Sequence, residues 1–385
     1  MIQVAERMSR IQPFYVMDLL ARTRELEAAG RSIIHMEIGE PDFVTPQPII
    51  AAGQAALAAG RTHYTPAKGL STLREAIAGH YQTAHGLTLS PDRVIVTPGS
   101  SGALQLVLSA LINPGDSVLL ADPGYPCNRH FVELVDGKPI TVPVGAETSY
   151  QLTAELVERA WRVDTRAVLV ASPSNPTGTL LSPGELAALH EVVRARDGAL
   201  IVDEIYQGLV YDETGGTALA LADDIFVINS FSKYFGMTGW RLGWLVAPVD
   251  FIDPLDRLAQ NIYLSAPTLS QFAAVDAFSP AVLSILEQRR QEFRERRDFL
   301  LPALRELGFT IPVTPQGAFY LYAGCEGITD DSYRFAYELL EQAGVAVTPG
   351  RDFGFHLPES HLRFAYTTSL QRLQEGVERM RRFIG

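Results

Sequence analysis

Asn229-Ser230-Phe231-Ser232-Lys233-Tyr234-Phe235-Gly236-Met237-Thr238-Gly239-Trp240-Arg241-Leu242-Gly243-Trp244 is the stretch around which the rest of the sequence can be arranged. It follows Ile225-Phe226-Val227-Ile228, an apolar run whose β-branched content suits a buried strand. Lys233 therefore stands just past the carboxyl end of a strand, the edge at which open α/β sheets bind ligands. A lone lysine is ordinarily a solvated surface residue. Here it keeps company with hydroxyls at Ser230 and Ser232 and with a guanidinium eight residues on, at Arg241. An amine so placed can condense with a carbonyl while a hydroxyl and the forked guanidinium hold a phosphate.

The 385 residues can bury a large core and form more than one domain. A content of 47% hydrophobic and 20% charged residues is that of a globular enzyme and not of a disordered chain. Lys plus Arg number 32 against 44 Asp plus Glu, a net charge of −12, which disfavours nonspecific binding to nucleic acid or anionic membrane. Cys127 and Cys325 lie far apart without a partner motif, and the eight histidines lack paired ligand spacing, so neither a disulfide framework nor a metal site is expected. A glycine-rich dinucleotide fingerprint is also missing. Glu6, Arg7 and Arg10 follow Met1 where a leader would be apolar, and no apolar run reaches ~18 residues, so a cytoplasmic location is expected.

From Arg93 onward strands and helices alternate, the pattern of a parallel sheet with right-handed crossovers. A strand at Val94–Val96 leads into Pro98-Gly99-Ser100-Ser101-Gly102 and an apolar helix. The free N–H groups and hydroxyls at that helix start suit an anion, although Ser and Gly are also ordinary capping residues. A strand at Val118–Leu120 precedes Asp122-Pro123-Gly124-Tyr125-Pro126, and one at Ala167–Ala171 precedes Ser172-Pro173-Ser174-Asn175-Pro176-Thr177-Gly178. Ser182-Pro183-Gly184-Glu185 then has the spacing of a capping box with Pro at the first helical position. Ala199-Leu200-Ile201-Val202-Asp203-Glu204-Ile205-Tyr206 puts Asp203 at the end of a buried strand, where an isolated carboxylate needs a cationic or hydrogen-bonding partner.

On the amino-terminal side an amphipathic stretch, Met17–Ala29, stops at Gly30, and a strand at Ile33–Ile38 runs into Gly39-Glu40-Pro41-Asp42-Phe43. A helix over Pro48–Ala59 and another carrying Leu70, Leu73, Ile77 and Tyr81 flank Thr62-His63-Tyr64-Thr65-Pro66. Beyond a strand at Leu242–Val246 and a helix at Phe251–Ile262 comes a long charged helix, Val282–Leu307, whose run from Glu287 to Asp298 reads as a solvated face because the signs alternate. A strand at Ala318–Tyr322, a helix at Ser332–Ala343, a strand at His361–Tyr366 and a closing helix from Ser369 complete the chain. Arg363 lies inside that last apolar strand, where an unpaired arginine is costly and a structural salt bridge is the plain reading. The expected fold is α/β: a three-layer sandwich with a mostly parallel sheet in a large domain, residues 47–282, and a smaller discontinuous α+β domain from residues 1–46 and 283–385 that can close over a cleft.

These separated motifs stand in one order: Gly39-Glu40-Pro41-Asp42, Ser100-Ser101, Asn175-Pro176-Thr177-Gly178, Asp203 with Tyr206, the lysine stretch, and Arg363. In that order they resemble fold-type I, aspartate aminotransferase-like enzymes of the class I/II family, which depend on pyridoxal 5'-phosphate (PLP). The similarity runs from about Phe14 to the last helix. It implies transfer of an amino group from an α-amino acid to a 2-oxo acid by a ping-pong route, with Lys233 as the Schiff-base lysine and proton-transfer base. It further implies Ser100, Ser101, Ser230 and Arg241 at the cofactor phosphate, Tyr125 on the pyridine face, Asp203 at the ring nitrogen, and Asn175 with Tyr206 at the phenolic oxygen. Gly39, Asn175 and Arg363 are implied substrate contacts, with Arg363 gripping the α-carboxylate. Tyr64 is implied to reach across a two-fold interface to the partner's cofactor phosphate, hence a homodimer. Some bacterial aspartate-type relatives carry a lysine where this chain has Ser101, which weighs against a dicarboxylic donor; Tyr15, Tyr263 and Arg351 are candidates for the side-chain pocket.

One architecture hosts several reactions. A PLP-dependent carbon-sulfur β-lyase is the alternative, distinguished by release of pyruvate and ammonia from a cysteine conjugate without any 2-oxo acid. A noncatalytic PLP-binding regulator is disfavoured, because no basic helix-turn-helix segment precedes residue 14 and the chain is acidic.

Overall fold

Eleven strands form two sheets in the computed structural model, which describes residues 2–212 and 215–385. β1 (Ile34–Met36) belongs to a sheet completed only near the other end of the chain. The intervening strands are β2 (Val94–Thr97), β3 (Ser117–Asp122), β4 (Lys138–Pro143), β5 (Thr165–Ala171), β6 (Ala199–Asp203), β7 (Phe226–Ser230) and β8 (Gly243–Val246). They form a sheet of order β2-β8-β7-β6-β5-β3-β4, parallel from β7 to β4 and antiparallel where β8 meets β7 and β2.

The apolar runs of the central strands are explained by burial on both faces. Because successive side chains alternate, Val168, Val170, Leu200 and Val202 pack in one core with Leu186, Leu189 and Val193 of the helix Pro183–Arg194. Ala167, Leu169, Ile201 and Ile228 pack in another with Leu104, Val107 and Leu108 of the helix Gly99–Leu111. The result is the expected α/β sandwich of helix, sheet and helix. The capping box is also formed: Glu185 N–H donates to Ser182 Oγ at 3.2 Å and Ser182 N–H to Glu185 Oε2 at 2.8 Å.

β9 (Tyr320–Gly324), β10 (Val345–Pro349) and β11 (His361–Ala365) join β1 in a sheet of order β1-β10-β11-β9. β1 runs parallel to β10, with Ile34 opposite Val345, while the other pairs are antiparallel. Segments from both ends of the sequence thus share one sheet.

Some boundaries differ from the sequence reading. β9 begins at Tyr320, not Ala318, because Ala318 has φ +58°, a left-handed conformation that breaks the extended backbone. The helix Ser332–Glu338 passes into a π-helical turn, Leu339–Ala343, before Gly344 stops it at φ +64°. The run from Glu287 to Asp298 is not simply a solvated face. Arg296 and Arg297 are buried, Arg296 holding Asp42 at 2.7 and 3.1 Å and Arg297 holding Asp212 at 2.6 Å. β4 and β10 were not anticipated; β4 carries Pro139 and Pro143, tolerated because it is an edge strand paired only with β3. No single helix among the described residues is long and apolar enough to cross a membrane.

Candidate active site

Where strand ends of the large sheet face the turn after β1 and the strand β11, a cavity of about 470 Å³ opens, a volume suited to a small-molecule ligand. Ser100, Ser101, Tyr125, Asn175, Asp203 and Tyr206 line it, together with Lys233, Arg241, Gly39 and Arg363. Ten residues singled out from separate parts of the sequence thus meet in one space.

Lys233 leaves the end of β7, and its Nζ donates to the Gly39 carbonyl at 2.6 Å. Burial lowers the amine to about 8, and the Arg363 and Arg241 charges act in the same direction against Glu40 and Asp203. Asp203 at the end of β6 is 5% exposed and accepts one hydrogen bond, from the Ile205 N–H at 3.0 Å. Burial raises its carboxyl to about 6, against the opposing effects of that amide and of Lys233. Glu204 points elsewhere, accepting from Ala218 N–H at 2.6 Å and the Thr217 hydroxyl at 3.0 Å. Alternation along the chain therefore sends one of two adjacent carboxylates to the cavity and the other into the fold.

At one end of the cavity the helix Gly99–Leu111 starts without a side-chain cap, leaving its first N–H groups for an anion. Arg241, itself left-handed at φ +52°, lies over this helix start; a methyl group on Gly99, where φ is +69°, would come within 2.9 Å of its Nη2. Close approach of a guanidinium and a positive φ both call for glycine there. Ser232 lines the cavity. Ser230 sits behind it, 1% exposed, its Oγ 2.9 Å from Ser232 Oγ and 3.1 Å from the Leu242 carbonyl.

At the other end Arg363 is 3% exposed. Nη1 donates to Asn175 Oδ1 at 3.0 Å, and Nη2 to Thr348 Oγ1 at 3.2 Å and to the Glu37 carbonyl. Every one of these partners is neutral, and Nε is buried with none. The ring of Tyr320 lies 4.4 Å and that of Phe353 4.9 Å from the guanidinium carbon. A buried cation without a carboxylate is costly, so this arrangement suits a bound anion better than an internal salt bridge.

Tyr320 is a residue that sequence reasoning took only as part of a strand. Its hydroxyl is 2.8 Å from that of Tyr206, and a methyl group on Gly39 would lie 2.0 Å from it. Phe14, Glu40 and Thr238 also line the cavity unanticipated. Tyr64, 81% exposed, is outside the lining of its own chain's cavity. Tyr15, Tyr263 and Arg351 are likewise outside the lining of their own chain's cavity: Tyr15 and Arg351 both pack on the Tyr333 ring, and the Tyr263 hydroxyl is buried without a hydrogen-bond partner.

Fold and site together define an α/β protein whose cavity at the strand ends joins an uncapped helix start, a buried carboxylate and an amine of lowered proton affinity. Residues 31–380 match the family described as aminotransferase class I and II. A valine–pyruvate aminotransferase of Mycobacterium tuberculosis is 38% identical over 374 residues, covering 96% of each chain. An aspartate aminotransferase of Geobacillus stearothermophilus is 35% identical, covering 100% of this chain and 99% of the relative. The crystal structure of an aminotransferase from Mycobacterium tuberculosis superimposes with a TM-score of 0.96 at 38% identity, covering 100% of this chain and 99% of the other. The chain belongs to the class I and II aminotransferases and is a pyridoxal phosphate-dependent transaminase. The residues present fit that cofactor: an uncapped helix start and Arg241 for its phosphate, and a buried carboxylate with one hydrogen bond for a protonated ring nitrogen.

Proposed function

We propose that Lys233 is the residue that carries the cofactor and moves the substrate's α-proton, in a ping-pong exchange between an α-amino acid and a 2-oxo acid. The observation that carries this reading is the meeting, in one cavity, of an amine lowered to about 8 with buried Asp203, Arg241 and Arg363. Pyridoxal phosphate, when bound, supplies an aldehyde that condenses with amines and a ring that takes up the electron pair left when the α-proton departs.

Ser100, Ser101, the amides of their helix and Arg241 would hold the phosphate, with Ser232 and, behind it, Ser230 completing the cup. Asp203 would hold a proton on the ring nitrogen, Tyr125 would cover the ring face, and Asn175 and Tyr206 would meet the phenolic oxygen. Arg363 orients the α-carboxylate with Gly39 and Asn175 alongside, so that the α-hydrogen faces the amine. With a proton affinity near neutrality, Lys233 Nζ can accept that proton and return it.

The reading extends to a homodimer in which Tyr64 serves the partner's phosphate site, supported by the exposure of Tyr64 at 81%, Val44 at 77% and Leu57 at 58%. It extends to a small unit of residues 1–46 with 283–385 around a large unit of 47–282, supported by the pairing of β1 with β10. The free thiols of Cys127 and Cys325 favour a reducing, cytoplasmic setting.

The test pairs an amino acid with a 2-oxo acid. Wild-type enzyme should yield the exchanged products with parallel-line initial rates, and Lys233→Ala should lose roughly 10²–10⁴-fold in rate. Pyruvate and ammonia from a cysteine conjugate, with no exchange, would overturn the reading. Mixed dimers of Lys233→Ala and Tyr64→Ala chains should regain activity through one intact site, and uniform inactivity would refute the shared site.

A further inference from the structure

With Ser100, Ser101 and Arg241 engaged by phosphate and Arg363 by the α-carboxylate, the wall that this chain leaves for a substrate side chain is mostly hydrocarbon, with Glu40 and Thr238 as its polar members. Phe14, Val16, Met17 and Leu20 contribute it from the start of the helix Tyr15–Ala28, joined by Ile38 from just beyond β1. The cations in the lining are Lys233, Arg241 and Arg363, each already occupied by the chemistry above. The carboxylates are Asp203 and the exposed Glu40, whose Oε1 accepts from the Thr238 hydroxyl. Among the described residues of one protomer, a second carboxylate on the donor would meet apolar side chains and Glu40, with no further guanidinium or ammonium in the lining to receive it.

The wall is held in place from outside its own helix. Phe14, at the N-cap, offers no side-chain cap; instead the buried carboxylate of Asp352 accepts the Tyr15 N–H at 2.8 Å and the Val16 N–H at 2.9 Å. These bonds take two of the helix's first N–H groups and fix its start over the cavity, with Phe14 edge-on to Tyr125 at 6.5 Å. The apolar face is thus anchored on both sides of the position at which the chain enters the helix.

We infer that the preferred donor is an α-amino acid with an uncharged, apolar side chain, recognised by the start of the helix Tyr15–Ala28; this rests on the transaminase reading above. Two measurements test it. The first is kcat/KM for amino-group transfer from leucine, methionine and phenylalanine, from aspartate and glutamate, and from lysine and ornithine. The apolar donors should lead by on the order of 100-fold. Equal or better rates with the acidic or the basic donors would overturn the inference while leaving the transaminase reading intact; transfer from none of them would sink that reading itself.

The second is equilibrium binding of the unreactive acids 4-methylpentanoate and glutarate to holoenzyme by calorimetry, in wild type and in Met17→Arg. Met17 is 55% exposed, so the fold tolerates arginine there. The wild type should prefer 4-methylpentanoate, and Met17→Arg should weaken it about tenfold and strengthen glutarate. A wild-type preference for glutarate, or a preference that Met17→Arg leaves unchanged, would overturn the inference.

Discussion

At position 39 the backbone passes so near the Tyr320 hydroxyl that a side chain has no room: an added Cβ would lie 2.0 Å from Oη and 3.0 Å from the ring carbon that bears it. Gly39→Ala should therefore destabilise the fold by about 1–3 kcal/mol and shift the carbonyl that accepts from Lys233. Tyr320→Phe removes the nearest clashing atom, so the double variant should recover part of the loss in chemical unfolding. Strict additivity would contradict the contact. Arg363→Lys keeps the charge but loses the fork, and kcat/KM for α-amino acids should fall roughly 10–150-fold, far more than for amines without a carboxylate. Equal losses would count against a carboxylate partner. Asp203, Arg363 and Lys233 stand out in the sequence because each is a charged residue inside or beside an apolar strand, a conflict between residue type and burial that a ligand can resolve. Tyr320 and Phe14 present no such conflict. An aromatic in an apolar stretch reads as core, and only the packing of the small sheet against the large one reveals that these two face the cavity.

At the scale of elements, the helix Pro183–Arg194 was legible in advance because its capping box, proline and apolar spacing agree. Ser182→Ala should cost about 1 kcal/mol in unfolding free energy and leave transamination unchanged. An altered rate would mean that this helix does more than support the sheet. His35 on β1 bridges Glu37 at 2.7 Å and Glu27, on the helix Tyr15–Ala28, at 3.0 Å, and the Glu37 hydrogen bond leads in raising the imidazole to about 9. A folded value above the unfolded ~6.5 contributes stability that is complete below that pH and is lost as pH rises through 9. The difference in melting temperature between wild type and His35→Gln should accordingly shrink from pH 6.5 to 9. A constant difference would show that the bridge does not titrate in this way. What the sequence could not convey at this scale was long-range. Buried Arg296 and Arg297 look like any charged helix face until Asp42 and Asp212 are brought against them, and the prolines of β4 argue against a strand until its edge position is known.

Over the whole molecule, the cavity belongs to neither sheet alone. The large sheet supplies Asp203 and Lys233 from the ends of adjacent strands, the turn after β1 supplies Gly39, and β11 supplies Arg363. Arg296 of the long helix Pro280–Glu306 pins Asp42, three residues past that glycine, so the turn is fixed from behind as well as by Lys233. The parallel sheet could be foreseen from alternating strands and helices, whereas no local pattern specifies that the chain's two ends pair in one sheet, as β1 does with β10. Every role proposed around the cavity follows from Lys233 being the residue that joins the cofactor. Borohydride reduction of the holoenzyme followed by peptide mass spectrometry measures this most directly. A pyridoxyl mass fixed on Lys233, and absent from Lys233→Ala, is the predicted result; the same mass on another lysine, or on none, would contradict the account.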